Sequence, residues 1–232
     1  MIAFLRKKID RIGQMGKKYN RIFFIIGFLL FLKTTYLFLQ QFRPEGRMLI
    51  TFLDHLIPFT PFFVLFYVIY YPFIVLPLFL NIRQKGHFFR TLGAMLFITI
   101  SSFLMYLVFQ TSMIRPDIVI TNVFDKLVHF IYVMDKPLNL FPSLHVSLTT
   151  AAFLALRKID QKKSWYFLSI ALSIILSTVF IKQHVVADVV AGMILGGASY
   201  LLFFSDFFLK KIMRKFSFFR FLIPTPRKAK QA

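Results

Sequence analysis

Long apolar stretches alternate with short polar and basic segments along this sequence. Five charge-free windows are long enough, or nearly so, to cross a bilayer as a helix: 59–80, 91–114, 137–156, 164–181 and 189–205. A further window, 22–39, contains Lys33, whose ammonium group we interpret as reaching the membrane surface, with packing against a partner or a polar cavity as alternatives. A membrane helix needs about 20 mostly apolar residues, so the pattern predicts an all-α bundle of six transmembrane helices.

The segments that flank this bundle are basic. Residues 1–20 are expected to form an amphipathic helix in the membrane interface that leads into the first span, and no small-residue cleavage site follows to mark a signal peptide. We interpret residues 210–232 as a basic cytoplasmic tail that binds anionic lipids. Since internal repeats and flexible linkers are absent from the sequence, residues 21–209 are assigned as one membrane domain.

Finer features of the pattern predict how individual helices are shaped and packed. Prolines crowd the second span and predict a kink, and glycines in the sixth predict close packing against a neighbouring helix. These residues are Pro58, Pro61, Pro72 and Pro77, and Gly192, Gly196 and Gly197. Residues 120–131, in the loop after the third span, have apolar positions at helical spacing. They predict an amphipathic helix that lies in the outer interface or packs on the protein itself.

The composition excludes a soluble protein. Of 232 residues, 58% are apolar and only 16% are charged, 33 are Phe, and the mean hydropathy is +0.70. Soluble domains are about half apolar and about a quarter charged. The formal charge of +20 is typical of nucleic-acid binders, but those proteins are far less hydrophobic, so we expect no nucleic-acid partner. The absence of Cys excludes disulfides, thiolate metal sites and a Cys nucleophile.

The basic residues indicate the orientation in the membrane. Six spans place both termini on one side, and that side carries 22 of the 29 Lys and Arg residues. The other side carries six, and Lys33 lies within the first span. By the positive-inside rule, both termini are expected to be cytoplasmic in the cell membrane, and the 111–142 loop is expected to face outward.

Polar and ionisable side chains gather at the outward ends of the predicted spans. From the third span to the sixth they are Arg115, Ser143, His145, Lys182, His184 and Asp188. Ionisable groups at such positions are costly and are therefore functional candidates. The predicted topology brings them all to one face, whereas a transporter or channel is expected to have polar residues spread through its spans.

These residue types suit attack on phosphorus. His184 and Asp188 are four residues apart on one helical face, so the carboxylate can fix the tautomer and leave the other imidazole nitrogen nucleophilic. We assign His145 as the general acid and base. Arg115 offers a planar pair of donors to phosphoryl oxygens and Lys182 a positive charge, while Ser143 begins a helix whose free amides favour an anion. Since the acidic residues lack metal-ligand spacing, we expect neither a metal nor a cofactor.

Three of these segments resemble the signatures of a known family. The run Pro142-Ser143-Leu144-His145, and Ser177 followed by His184 and Asp188, resemble the second and third signatures of the type 2 phosphatidic acid phosphatase (PAP2) superfamily. Arg115-Pro116 resembles the end of the first signature. The resemblance implies a six-helix membrane architecture. It also implies that His184 is the nucleophile, that Asp188 orients it and that His145 is the acid and base. Ser143 and Arg115 are implied to bind the phosphate.

Two cations of the family signatures are missing here. Val108 occupies the Lys position of the first signature, and Thr178 occupies the Arg position of the third. We expect Lys182 to replace one of these cations and Gln110 to supply a neutral donor near the other. The Phe-Pro-Ser-Leu-His run at 141–145 and the Lys-Gln-His run at 182–184 resemble most the branch that includes inositol-phosphotransferase relatives. The soluble vanadium haloperoxidases of the superfamily are a poor match, given the six spans.

The resemblance implies a membrane lipid phosphatase that acts at the outer leaflet through a phosphohistidine. Candidate substrates are undecaprenyl diphosphate, phosphatidic acid, phosphatidylglycerol phosphate and related lipids. The alternatives are a phosphotransferase that passes the phosphoryl headgroup to an alcohol such as inositol or a glycan, and a non-enzymatic membrane transporter. Four other polar residues have no matching partners in the sequence and are interpreted as interfacial or loop residues: Asp54, His55, His87 and His129.

Overall fold

The computed structural model describes residues 2–39, 41 and 46–205, and every regular element in this part of the chain is a helix. In chain order the elements are α1 (Ile2–Leu39), α2 (Phe52–Leu56), a 3₁₀ turn (Pro61–Phe63), α3 (Val64–Val68), α4 (Tyr70–Leu80), α5 (Lys85–Val108), α6 (Val123–Met134), α7 (Leu144–Ile159), α8 (Ser164–Phe180) and α9 (Val186–Phe204). The all-α expectation is confirmed for these residues. The predicted basic tail, 210–232, lies outside them.

Four helical stretches are long and apolar enough to cross a membrane: Asn20–Leu39, Pro61–Leu80, Lys85–Val108 and Val186–Phe204. Helix α8 is apolar but has 17 residues, and α7 has 16 residues with two basic residues in its last turn. The window 137–156 is helical only from Leu144 onward. Length and composition thus support four spans, while the six-span bundle remains a prediction. Residues 2–20 continue into the first span as one helix, whose placement in the interface also remains a prediction.

The second span is interrupted, as its prolines predict. The 3₁₀ turn leads into α3, which ends at Val68, and α4 begins at Tyr70. Pro72 lacks the N–H group that would donate to the carbonyl of Val68, so the regular helical ladder of hydrogen bonds is broken here. Tyr67 and Tyr70, on the two sides of the break, both line one cavity.

Helix α7 is central to the bundle, since it packs against α4, α5, α8 and α9. Its contact with α9 is close because two residues of α9 have no side chain there. A Cβ atom on Gly192 would lie 2.8 Å from the carbonyl oxygen of Ser143, and one on Gly196 would lie 2.5 Å from that of Ser147. The predicted packing role is confirmed for these two glycines. For Gly197 it was wrong, because this position faces open space.

Two segments, 46–60 and 109–143, carry α2 and α6 and are joined by an isolated bridge between Arg47 and Thr111. We call them the outer segments, after the side of the membrane where the sequence predicts them. Helix α6 is capped at its start by Asn122, whose side-chain oxygen accepts the backbone N–H of Phe124 at 2.8 Å. Val128 is fully buried against the start of the second span, whereas Val123 and Phe130 are more than half exposed. A helix therefore overlaps the segment 120–131, while its amphipathic placement in the outer interface remains a prediction. It packs on the protein along one face and leaves apolar side chains exposed on another.

Candidate active site

A cavity of about 590 Å³ lies between α1, the interrupted second span, α6 and the beginning of α7. Apolar and aromatic side chains form most of its wall. The ionisable and amide side chains on the wall, apart from the tyrosines, are Lys33, Asp135, Asn139, His145 and His184. A mostly apolar cavity with a few polar groups suits a ligand with an apolar body and a polar head. The two histidines that the sequence predicts to be catalytic thus share one cavity.

His184 lies in the turn between α8 and α9, and Asp188 lies in the first turn of α9. The Nδ1 atom of His184 is 3.3 Å from the Oδ2 atom of Asp188. The same oxygen accepts the backbone N–H of Val185 at 3.1 Å, and both the imidazole and the carboxylate are buried. When Nδ1 carries the proton, this contact orients the ring and leaves Nε2 with a free lone pair.

His145 is the second residue of α7 and contacts two aromatic rings from the second span. Its ring centroid is 4.7 Å from that of Tyr67 and 4.2 Å from that of Tyr70. The His184 ring lies 6.0 Å away, also between centroids. The Nε2 atom of His145 is buried and has no hydrogen-bond partner among the described residues, which leaves it available to a ligand. The sequence does not predict that these two tyrosines contact His145. The one feature of the sequence that points to this region is the proline-rich break beside them.

Ser143 is fully buried at the N-cap of α7. Its Oγ atom accepts the backbone N–H of Val146 at 3.3 Å, and its own N–H donates to the carbonyl of Asp188 at 3.1 Å. The second bond joins the start of α7 to the first turn of α9, and therefore holds His145 and His184 near each other. The predicted N-cap is confirmed, while phosphate binding by Ser143 remains a prediction.

Arg115 follows α5 and lies next to the turn that carries His184. Its Nη1 atom donates to the carbonyl oxygen of Asp135 at 2.5 Å, and its Nη2 atom donates to the side-chain oxygen of Gln183. The guanidinium carbon is 4.5 Å from the ring centroid of Tyr132. Burial raises the pKa of Tyr132, so its hydroxyl stays protonated and donates to a backbone carbonyl at 2.7 Å. Arg115 thus contacts the neighbour of His184, and its role as a phosphate ligand remains a prediction.

Lys182 does not line the cavity, and its role in phosphate binding remains a prediction. Its Nζ atom donates to the carbonyl oxygens of Asp54 at 3.0 Å and Ile57 at 2.6 Å. Carbonyls at the end of a helix have no partner within that helix, and here the ammonium group supplies one at the end of α2. Lys182 is therefore bound to the outer segment and is not part of the cavity wall.

Gln110 is also engaged with the protein. Its Nε2 atom donates to the side-chain oxygen of Asn139 at 3.1 Å, and Asn139 lines the cavity. The Oε1 atom of Gln110 is buried without a hydrogen-bond partner in the described ranges. Gln110 thus contacts a residue of the cavity wall and is not itself on that wall. Donation from Gln110 to phosphate remains a prediction.

Asp54, interpreted from the sequence as an interfacial residue, contacts the start of α9. Its Oδ1 atom accepts the backbone N–H of Val186 at 2.7 Å, and its Oδ2 atom accepts the hydroxyl of Thr51 at 2.7 Å. Together with the bonds from Lys182, this contact attaches residues 51–57 to the turn that carries His184. The Thr-x-x-Asp spacing is typical of a helix start, but it does not predict a contact with residue 186.

The sequence model of the PAP2 superfamily matches residues 89–212, which is more than half of the chain. The chain belongs to the PAP2 superfamily. The match covers all the residues that carry the signatures, whereas α1 and the second span precede it. No curated protein and no solved structure matches the chain. The members of the PAP2 superfamily are in general phosphatases. Within the described residues of this PAP2 protein, no group of three or more His, Asp or Glu side chains is arranged to hold a metal ion.

Proposed function

We propose that this PAP2 protein is an integral membrane phosphatase that hydrolyses a lipid phosphate or diphosphate through a phosphohistidine at His184. The observation that carries the proposal is the contact of His184 with Asp188 at 3.3 Å beside His145 on the wall of a mostly apolar cavity. The apolar part of such a cavity suits a lipid chain, and its polar end offers two imidazoles to the phosphate.

In the first step, the Nε2 atom of His184 attacks phosphorus, so a P–N bond forms while the P–O bond to the leaving group breaks. Asp188 stabilises the positive charge that develops on the imidazole, and protonated His145 gives its proton to the leaving oxygen. In the second step, His145 removes a proton from water as the water oxygen attacks phosphorus and the P–N bond breaks. Arg115 and the first amides of α7, next to Ser143, serve as donors to the phosphoryl oxygens.

The proposed setting is a cell membrane crossed six times, with α7 and α8 completing the four longer spans. Both termini face the cytoplasm, where basic residues contact anionic lipids, and the cavity faces the outer leaflet. Candidate substrates are undecaprenyl diphosphate, phosphatidic acid and phosphatidylglycerol phosphate, because each joins a phosphate to a long apolar body.

Transfer to an alcohol is the second candidate reaction. It is favoured by the runs at 141–145 and 182–184, which resemble the branch that includes inositol-phosphotransferase relatives. Both reactions share the phosphohistidine, and they differ in whether water or an alcohol oxygen attacks it in the second step. An apolar cavity that limits access of water suits the transfer reaction as well as it suits a lipid.

A labelled-lipid assay tests the proposal. Purified protein in detergent receives radiolabelled lipid phosphates and diphosphates, with and without inositol, and free phosphate is separated from transferred phosphate. We expect phosphate release by the wild type, loss to background in His184→Ala, and wild-type rates in His129→Ala, which changes an exposed histidine of α6 outside the cavity.

Each outcome of this assay decides one claim. Wild-type release by His184→Ala contradicts the nucleophile assignment. Transfer to inositol in preference to water selects the second candidate reaction. If the wild type turns over no lipid phosphate by either route, the proposed function is wrong and the transporter alternative gains support.

A further inference from the structure

Lys33 is a charged residue of the first span that the proposed mechanism does not use. It lines the same cavity as His145 and His184. Three other residues of α1 line the cavity: Leu29, Leu32 and Tyr36. With Lys33 they follow the i, i+3, i+4 and i+7 spacing, so one continuous face of the helix forms this part of the wall. The sequence favours a lysine that reaches the membrane surface; in the structure Lys33 is exposed and also forms part of the cavity wall.

The ammonium group of Lys33 has no hydrogen bond or ion pair within the described part of the chain. A charge within a membrane span is costly, and such residues are almost always paired or face a cavity with a function. Lys33 is also the one cation on the cavity wall that the described residues form. The cavity wall therefore carries the ammonium group of Lys33 and two histidines, beside one carboxylate, Asp135, which accepts the hydroxyl of Tyr36. The ammonium group and the imidazoles are the groups that suit an anionic headgroup.

Helix α1 is held beside the candidate active site by Tyr36, one turn after Lys33. The hydroxyl of Tyr36 donates to the Oδ1 atom of Asp135 at 2.5 Å, and the carbonyl of Asp135 accepts from Arg115. Tyr36 also shares the cavity wall with Tyr67, which contacts His145. The face of α1 that carries Lys33 is thus joined through Asp135 to Arg115, and it lines the same cavity as His145.

Neither of the two positions where the family signatures have a cation supplies one to the cavity wall in the described residues. Val108 is 80% exposed on the outside of α5. Thr178 is fully buried, and its hydroxyl donates to the carbonyl of Ile175 at 2.7 Å. Lys182 is occupied by two carbonyls of the outer segment. A phosphate bound in the cavity therefore lacks the cations that the family signatures would supply, and Lys33 of α1 can supply a positive charge from the wall.

We propose that Lys33 binds the phosphate group of the lipid substrate, as a cation contributed by the first span. This inference rests on the proposed function, since it adds a ligand to the same site. The ammonium group donates to phosphoryl oxygens of the bound substrate and takes no part in proton transfer. Its loss is therefore expected to weaken substrate binding more than it slows the chemical step.

Three variants test the role of Lys33 in the labelled-lipid assay. Lys33→Met removes the charge at similar length, Lys33→Arg keeps it, and Thr34→Met makes a matched change at the next residue, which is exposed and does not line the cavity. We expect KM for a lipid phosphate to rise roughly ten- to a hundredfold in Lys33→Met with little change in kcat, because a charge-assisted hydrogen bond is lost. Lys33→Arg should restore KM, and Thr34→Met should match the wild type.

Binding without turnover separates this inference from the proposed function. A ligand that binds only the folded protein raises its Tm, so the shift produced by a lipid phosphate is measured in the wild type, in His184→Ala and in Lys33→Met. We expect the Tm shift in the wild type and in His184→Ala, and its loss in Lys33→Met. A shift in the wild type without turnover contradicts the proposed function alone. The role of Lys33 would be overturned if Lys33→Met left both the Tm shift and KM unchanged, or if Thr34→Met had the same effect as Lys33→Met. A loss of kcat that Lys33→Arg does not rescue would overturn it as well.

Discussion

Several buried polar atoms of the candidate site have no partner among the described residues. They include the Nε2 atom of His145 and the Oδ1 atom of Asp188, whose other oxygen contacts His184. A buried polar atom without a hydrogen bond costs about 1–3 kcal/mol, so such atoms are expected to find a partner in a ligand or an ordered water. Both atoms belong to residues that the mechanism uses. Their arrangement is consistent with a site that is completed when substrate or water enters.

Lys182 is expected to support the turn that carries His184 instead of binding phosphate. Lys182→Met removes the donor from the carbonyls of Asp54 and Ile57. At about 1 kcal/mol for each hydrogen bond, Tm should fall by roughly 3–8 °C. The kcat value should fall because His184 loses its fixed position, while KM changes less. Thermal unfolding and steady-state kinetics check this, with Lys162→Met, an exposed lysine of the α7–α8 loop, as the control. A higher KM at unchanged Tm in Lys182→Met would instead indicate that Lys182 binds the phosphate.

Local spacing explains which residue contacts the sequence could predict. The contact of His184 with Asp188 follows from a separation of four residues on one helical face. The contacts of Tyr67 with His145 and of Asp54 with Val186 join residues far apart in the chain. They depend on the break in the second span and on the path of the outer segments, neither of which hydropathy describes. The sequence therefore predicted the residue types of the site better than the groups that hold them in place.

Among the elements, the contact between α7 and α9 sets the spacing of the two histidines. Gly196→Ala places a Cβ atom 2.5 Å from the carbonyl oxygen of Ser147, so the helices must move apart, at a cost of about 1–3 kcal/mol. We expect a lower Tm and lower phosphate release, measured on purified protein. Gly197→Ala is the matched control, since a Cβ atom there meets nothing within 4 Å. Equal effects of the two substitutions would show that close packing at Gly196 is not needed.

The apolar windows predicted where helices occur more accurately than where they end. The window 91–114 extends beyond α5, which stops at Val108, and the window 137–156 starts before α7. In both cases the extra residues include apolar side chains of the outer segments that the protein itself buries, such as Met113 and Leu140. Hydropathy cannot separate burial by protein from burial by lipid. The expected span boundaries were wrong at these two points for that reason.

At the scale of the whole molecule, the charge distribution and the site geometry support the same orientation. The side predicted to be cytoplasmic carries 22 basic residues, whereas the candidate catalytic residues lie at the opposite ends of the spans, among the outer segments. In the proposed orientation, most of the positive charge behind the net +20 lies on the cytoplasmic side. The chemistry is assigned to the few ionisable groups at the cavity, including Lys33 in the first span.

This orientation requires α7 to cross the membrane although it has only 16 residues. The chain contains no Cys, so a single introduced thiol reports on one position. His129→Cys lies on α6 before α7, and Lys162→Cys lies after it; both positions are exposed. We expect a membrane-impermeant maleimide to label the first variant in intact cells and the second only after permeabilisation. Unchanged phosphate release and Tm show that each variant is folded. Labelling of both from outside contradicts a crossing by α7, and the reverse pattern contradicts the outward-facing site.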